Sequence, residues 1–191
     1  VIYKIAHVLV KIWFGITNHG VRVHHQERLP EGAAVICPNH TSLRDPLYVA
    51  LACGIRERLH FMAKSELYEN RFLARLLTKL GAFPVRRGQP DIEAIRSSVG
   101  YLNDGCKLII FPEGTRVTAG KDVEAKGGAA MLAARTGVPM VPVYIRNART
   151  FFTRVDLTFG EPIFVEKPRT AQKEAVGKVM DAIEEMKCQS K

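Results

Sequence analysis

The feature that most constrains this chain is a series of short apolar runs, each of buried-strand length and each closed by a polar cluster. "AAVIC" (33–37) runs into "PNHTSLRD", "AFPV" into "RRGQPD", and "KLIIF" (107–111) into "PEGTR". Between such runs lie stretches with helical spacing. Ile92, Ile95, Val99 and Leu102 recur at intervals of three, four and three, which places them on one side of a helix. Apolar strands alternating with helices imply an α/β domain. "VRVHH", "LHFMA" and "VPMVPVYI" read as further strands, and "RVDLTFGEPIFV" as an edge hairpin or paired strands. "PLYVALACG" reads as a helix closed by Gly54, with Asp45 ahead of Pro46 suited to its N-cap, or with the helix starting earlier, at Thr41 or Ser42. "NRFLARLLTKLG" reads as an amphipathic basic helix, "KGGAAMLAARTG" as a small-residue helix, and a last helix starts near Thr170.

A length of 191 residues fits one domain. The segment before it, "VIYKIAHVLVKIWFGITNHG", differs in character. Lys4, His7, Lys11 and Asn18 fall within about 60° on a helical wheel, and the rest of the circumference is Ile, Val, Leu, Trp and Phe. Residues 1–20 are therefore read as an amphipathic helix and 21–191 as the domain that carries the chemistry. The helix can pack on that domain, lie on a membrane with Trp13 at the interface, or do both. No stretch approaches 18 uninterrupted apolar residues, so none is expected to span a bilayer. The chain opens at Val1 rather than Met, which leaves an upstream leader or anchor open.

The charge balance narrows the partners. Against 19 Asp and Glu stand 28 Lys and Arg, a net charge of +9, which favours anionic membranes, phosphorylated substrates or polyanions. Zinc-finger spacing, an RNA-binding sheet motif and basic-aromatic tracts are all missing, which disfavours nucleic acid. Cys37, Cys53, Cys106 and Cys188 are scattered without a CxxC pair and read as reduced thiols of a cytosolic protein.

The polar clusters follow strands, where open α/β folds bind ligands. In "NHTSLRD", His40 and Asp45 lie five residues apart, about one and a third helical turns, so their side chains can meet. A carboxylate on one imidazole nitrogen fixes the tautomer and leaves the other nitrogen free as a base. No GxSxG elbow supplies a nucleophile, so such a base would activate a substrate hydroxyl directly. Alone, the pair also fits a hydrogen-bonded structural histidine. "FPEGTR" alone fits a tight turn at Gly114 with a surface ion pair between Glu113 and Arg116.

Taken together and in order, the blocks resemble those of the glycerolipid acyltransferases, the 1-acylglycerol-3-phosphate (lysophosphatidate) acyltransferase family. "NHTSLRD" is similar to its NHxxxxD block, "GAFPVRRG" to the block with a Gly and an Arg, "FPEGTR" to the third and "VPMVPVYI" to the fourth. The likeness covers about Val21 to Ile145. It implies that family's fold, a central, largely parallel sheet flanked by helices. It also implies transfer of a fatty acyl group from an acyl-CoA or acyl-carrier-protein thioester to lysophosphatidic acid, without a cofactor or metal, at the cytoplasmic face of a membrane. By the same resemblance His40 is the general base and Asp45 its orienting partner. Glu113, Gly114, Thr115 and Arg116 form the acceptor site, with Arg87 and Lys64 adding charge. Two positions depart from the family pattern: Arg86, where an acidic residue is usual, and Val117, where a Ser is common. The first would shift acceptor headgroup preference.

Other acceptors, such as glycerol-3-phosphate or another lysolipid, stay open. Within the same chemistry, a thioesterase or lipid hydrolase would put water in place of the acceptor, and the phosphate-side arginines argue against it. A catalytically silent lipid-binding module would use the same basic face, and the intact His40 and Asp45 count against that.

Overall fold

Among the described residues, seven strands form one sheet. The computed structural model describes residues 2–86, 90–114, 127–147 and 152–190. In chain order the elements are α1 (Ile2–Asn18), β1 (Val21–His24), β2 (Ala34–Pro38), α2 (Asp45–Cys53), β3 (Leu59–Lys64), α3 (Arg71–Lys79) and β4 (Ala82–Val85). They continue with α4 (Ile92–Asn103), β5 (Lys107–Ile109), α5 (Gly128–Thr136), β6 (Met140–Arg146), β7 (Val155–Phe159) and α6 (Arg169–Gln189). The strand order is β1-β7-β6-β2-β5-β3-β4. Every neighbouring pair is parallel except β6 and β7.

Strand β2 is central and buried throughout, which is why it reads as an unbroken apolar run. Its alternating side chains serve two cores. Ala34 and Ile36 pack with Phe14 of α1 and Tyr48, Val49 and Ala52 of α2. Val35 and Cys37 pack with residues of α4, α5 and α6, among them Leu102, Leu132 and Val179. The result is a helix–sheet–helix sandwich, and residues two apart on each strand face the same layer.

Residues 154–165 correct the expected edge hairpin. Strand β7 lies inside the sheet, between β1 and β6. Ile163 does not pair back on β7; it forms a bridge to Met140, exchanging backbone bonds of 2.7 and 2.8 Å. The edge is β1, a partner more than 130 residues away in sequence, and no local alternation reveals such a neighbour. At the other edge, Gly81 has φ +90°, and a Cβ there would sit 2.2 Å from the carbonyl oxygen of Leu59. Only glycine lets α3 turn into β4 at that distance.

Helix α1 makes the domain contact through a narrow seam. Phe14 is fully buried and packs on Tyr48 with the rings tilted by 32° and their centroids 4.4 Å apart. Ile5, Val8, Leu9, Ile12, Trp13 and Ile16 remain exposed. No helix among the described residues is long and apolar enough to cross a membrane. The cysteines are free, three of them buried, and burial pushes the Cys53 thiol up to about 12.

Candidate active site

The carboxyl ends of β2, β3, β4 and β5 face one edge of the sheet because these strands are parallel. The loop after β2 is fixed first. The N–H of Asn39 donates to Val143 at 3.2 Å, and its side-chain amide both donates to the carbonyl of Ile145 (3.1 Å) and accepts from that residue's N–H (2.7 Å). The amide thus continues the ladder to β6 after β2 has ended, and holds the next residue, His40, in place.

Asp45 is fully buried. Its Oδ2 accepts from the backbone N–H of Thr41 and Ser42, each at 2.7 Å, and lies 2.9 Å from Nδ1 of His40. The expected capping role does not hold. Asp45 is the first helical residue of α2, and its carboxylate turns back onto the preceding loop. An ionised carboxylate only accepts, so Nδ1 carries the proton and Nε2 keeps its lone pair. The imidazole is also held by Phe111, whose ring stacks on it at 4.0 Å with 26° between planes. Oδ1 of Asp45 is buried and has no hydrogen-bond partner among the described residues.

Glu113 joins the pair from the turn that follows β5. Its Oε2 accepts from the backbone N–H of His40 at 3.0 Å. Burial pushes the Glu113 carboxyl up from its ordinary value, opposed by that N–H and the His40 ring and aided by the charge of Asp45. The turn is closed by Gly114, at φ +63°, whose N–H donates to the Phe111 carbonyl at 2.9 Å.

Beside His40 opens a cavity of about 340 Å³. Met62, Val85, Ile95, Ile110, Met131 and Leu132 make its wall apolar, and Arg86 and Asp91 contribute polar atoms. Asp91 ties the end of β4 to the start of α4. One carboxylate oxygen accepts from the Arg86 N–H at 2.8 Å and the other caps the helix at Ala94 N at 3.1 Å. Those two bonds, the Arg86 N–H first, hold its carboxyl below the usual range.

Of the residues expected from sequence, His40, Asp45, Glu113 and Gly114 come together. Lys64 is exposed at the end of β3 and forms no ion pair among the described residues. Strand β3 is two places from β2, roughly 10 Å at the usual strand spacing. Arg87, Thr115, Arg116 and Val117 lie outside the described residues. Sequence reasoning missed the clamp of Asn39 and the stacking of Phe111, read only as the end of a strand; Arg86, singled out there as a departure from the family pattern, lines the cavity. The available signals for Asn39 were its place at the head of the NHxxxxD-like block and its position immediately after a strand-ending proline. No group of three or more His, Cys, Asp or Glu among the described residues is arranged to hold a metal.

A buried imidazole with a fixed tautomer, next to an apolar cavity and with no serine or cysteine side chain hydrogen-bonded to it among the described residues, can deprotonate a bound alcohol. The family comparisons agree with that chemistry. The acyltransferase family profile matches residues 20–146. The 1-acyl-sn-glycerol-3-phosphate acyltransferase of Bacillus subtilis is 32% identical over 168 residues, 84% of this chain and 82% of that protein. The enzyme of the same name from Streptococcus pneumoniae is 30% identical over 191 residues, 95% of this chain and 70% of its own length. The crystal structure of the 1-acyl-sn-glycerophosphate acyltransferase of Thermotoga maritima superposes with a TM-score of 0.71 at 27% identity, over 97% of this chain and 78% of that one. On the profile match and these identities, the chain belongs to the 1-acylglycerol-3-phosphate acyltransferase family of acyltransferases.

Proposed function

We propose that this enzyme transfers a fatty acyl group from an acyl-CoA or acyl-carrier-protein thioester to the free sn-2 hydroxyl of 1-acyl-sn-glycerol-3-phosphate, giving phosphatidic acid. The observation that carries the reading is the His40–Asp45 pair, with Nε2 free, beside an apolar cavity. The cavity suits an acyl chain, and relatives 32% and 30% identical carry the name of that activity. His40 Nε2 takes the proton of the acceptor hydroxyl as its oxygen attacks the thioester carbonyl. Asp45 holds the tautomer and stabilises the imidazolium. The tetrahedral intermediate expels the thiolate, which takes the proton back from His40, so the products are the ester and a free thiol. The thioester is already activated, and a base with good positioning suffices.

Glu113 acts on this reading as a positioning group for His40, while Arg116, Arg87 and Lys64 supply positive charge for the acceptor phosphate. Residues 1–20 form the membrane-docking element and 21–191 the catalytic domain, peripheral to the cytoplasmic face. The apolar side chains exposed on α1, with Lys4 and Lys11 beside them, support docking to an anionic surface. The free buried thiols suit a reducing compartment.

The test is a donor and acceptor panel with purified protein on liposomes, products read by mass spectrometry. Phosphatidic acid formation from lysophosphatidic acid is expected to exceed acylation of glycerol-3-phosphate, lysophosphatidylcholine and monoacylglycerol. It is also expected to fall roughly 10²- to 10⁴-fold in His40→Ala, the range for loss of a general base. Free fatty acid as the main product would make the enzyme a hydrolase instead.

A further inference from the structure

Helix α3 is held in place yet buries none of its side chains. Asn70 caps it, accepting from Phe72 N at 3.0 Å and Leu73 N at 3.1 Å. Leu73, Ala74 and Leu77 are half-buried. Phe72 is 79% exposed and Leu76 42%, and Leu67, in the 3₁₀ turn just before the helix, is also 42% exposed. At roughly 100° per residue, Phe72 and Leu76 occupy one strip between the half-buried leucines and a second strip made by Arg71, Arg75 and Lys79. The helix has no acidic residue, and those three cations form no ion pair among the described residues.

We propose that α3 and Leu67 form a second membrane contact, separate from α1, in which Phe72, Leu76 and Leu67 enter the interfacial layer and Arg71, Arg75 and Lys79 meet anionic headgroups. Charge decides the occupant. Three unpaired cations lie directly beside the apolar strip, the order found on helices that lie in a bilayer interface. Shape points the same way. An outward-facing helix carrying a few protruding apolar side chains needs no complementary partner in a fluid bilayer, whereas a specific protein interface needs about 800 Å² per side with matched shape. Two separate contacts would also fix the orientation of the enzyme on the membrane, which a single helix leaves free to pivot.

The test measures binding of the full chain, α1 intact, to vesicles of phosphatidylcholine with or without 30 mol% phosphatidylglycerol, as a composition of about that proportion. Phe72→Gln/Leu76→Gln is expected to reduce the partition coefficient at least tenfold on both compositions. Arg71→Gln/Arg75→Gln/Lys79→Gln is expected to lose about fivefold per cation on the anionic vesicles at low salt, and much less on the neutral ones. Thermal melting controls for folding. A gentler variant, Phe72→Trp in a Trp13→Phe background, is expected to show a blue-shifted emission when anionic vesicles are added. Wild-type partitioning in both multiple variants, or an unshifted emission, overturns the proposal. So does binding of an acidic protein that these substitutions abolish while vesicle binding is kept. None of these measurements uses substrate, so their failure leaves the proposed acyl transfer untouched, and a failed donor and acceptor panel leaves this surface untouched.

Discussion

Asp45 Oδ2 takes two backbone N–H groups and the His40 ring at once, so its substitution acts on loop and imidazole together. Asp45→Asn presents either an amide oxygen or an NH₂ to all three donors. We expect turnover to fall by at least a hundredfold, with the melting temperature lowered as well, measured by initial rates and calorimetry on the same sample. Unchanged rates in a folded Asp45→Asn protein would show that Nδ1 needs no acceptor. Glu113 behaves differently. Its carboxyl is raised, so the folded protein holds that proton more tightly than the unfolded chain does. Stability from this group is therefore present below the unfolded value and falls as pH climbs through the raised folded value. Glu113→Gln keeps an oxygen for the His40 N–H and removes the buried charge. We expect the variant to gain stability relative to wild type as pH rises across the weakly acidic range, read from denaturant midpoints. A gap independent of pH would remove Glu113 from that titration. For the phosphate, Arg87→Ala and Arg116→Ala are each expected to raise the acceptor KM roughly ten- to a hundredfold, the worth of one charged hydrogen bond, and to leave the thioester KM nearly unchanged. Equal losses with monoacylglycerol would show that these arginines do not read the phosphate.

The join between β2 and β6 is the element on which His40 depends. Asn39→Ala would leave the N–H and the carbonyl of Ile145 buried without partners, at about 1–3 kcal/mol for each group. We expect a clear loss of stability in chemical denaturation and a further loss of kcat, because His40 is the next residue. Full activity with lowered stability would show that β6 needs the clamp and His40 does not. Much of this element structure was legible in the sequence. Strand β2 and helices α4 and α6 follow from local periodicity, and the polar clusters marked the carboxyl edge. The misreadings share one cause. The hairpin expected at 154–165 failed because β7 pairs on one side with β6, the element before it, and on the other with β1, more than 130 residues away. Asp45 was expected to cap α2 because the Asp-Pro order suits a cap. Its carboxylate instead found three donors in the loop, among them the Nδ1 of His40, and this tertiary competition decided its place. The five-residue spacing of His40 and Asp45 was legible, whereas the stacking of Phe111 and the clamp of Asn39 needed the fold.

At the scale of the whole molecule, α1 combines two surfaces that can be separated by experiment. Phe14 is buried on Tyr48, so deleting the helix would expose the core around α2 and confound any membrane measurement. Substituting the outer face avoids that. Ile5, Leu9, Ile12 and Ile16 are each more than half exposed, and changing all four to Gln leaves the Phe14 seam intact. Burying such a side chain contributes about 1.5–3 kcal/mol, so even partial insertion of four predicts a loss of vesicle binding of at least a hundredfold. The melting temperature should stay within a few degrees of wild type. Phe14→Ala should do the reverse, costing about 3–5 kcal/mol of folding stability through the cavity it leaves, with binding per folded molecule largely kept. Because Lys4 and Lys11 lie on the same exposed helix, residual binding should weaken further with added salt. Lysophosphatidic acid presented in vesicles should then be acylated slowly by the quadruple variant, while the same acceptor dispersed in detergent should be used at close to the wild-type rate. Wild-type vesicle binding by the quadruple variant would reduce α1 to a structural helix and leave the membrane contact to another surface.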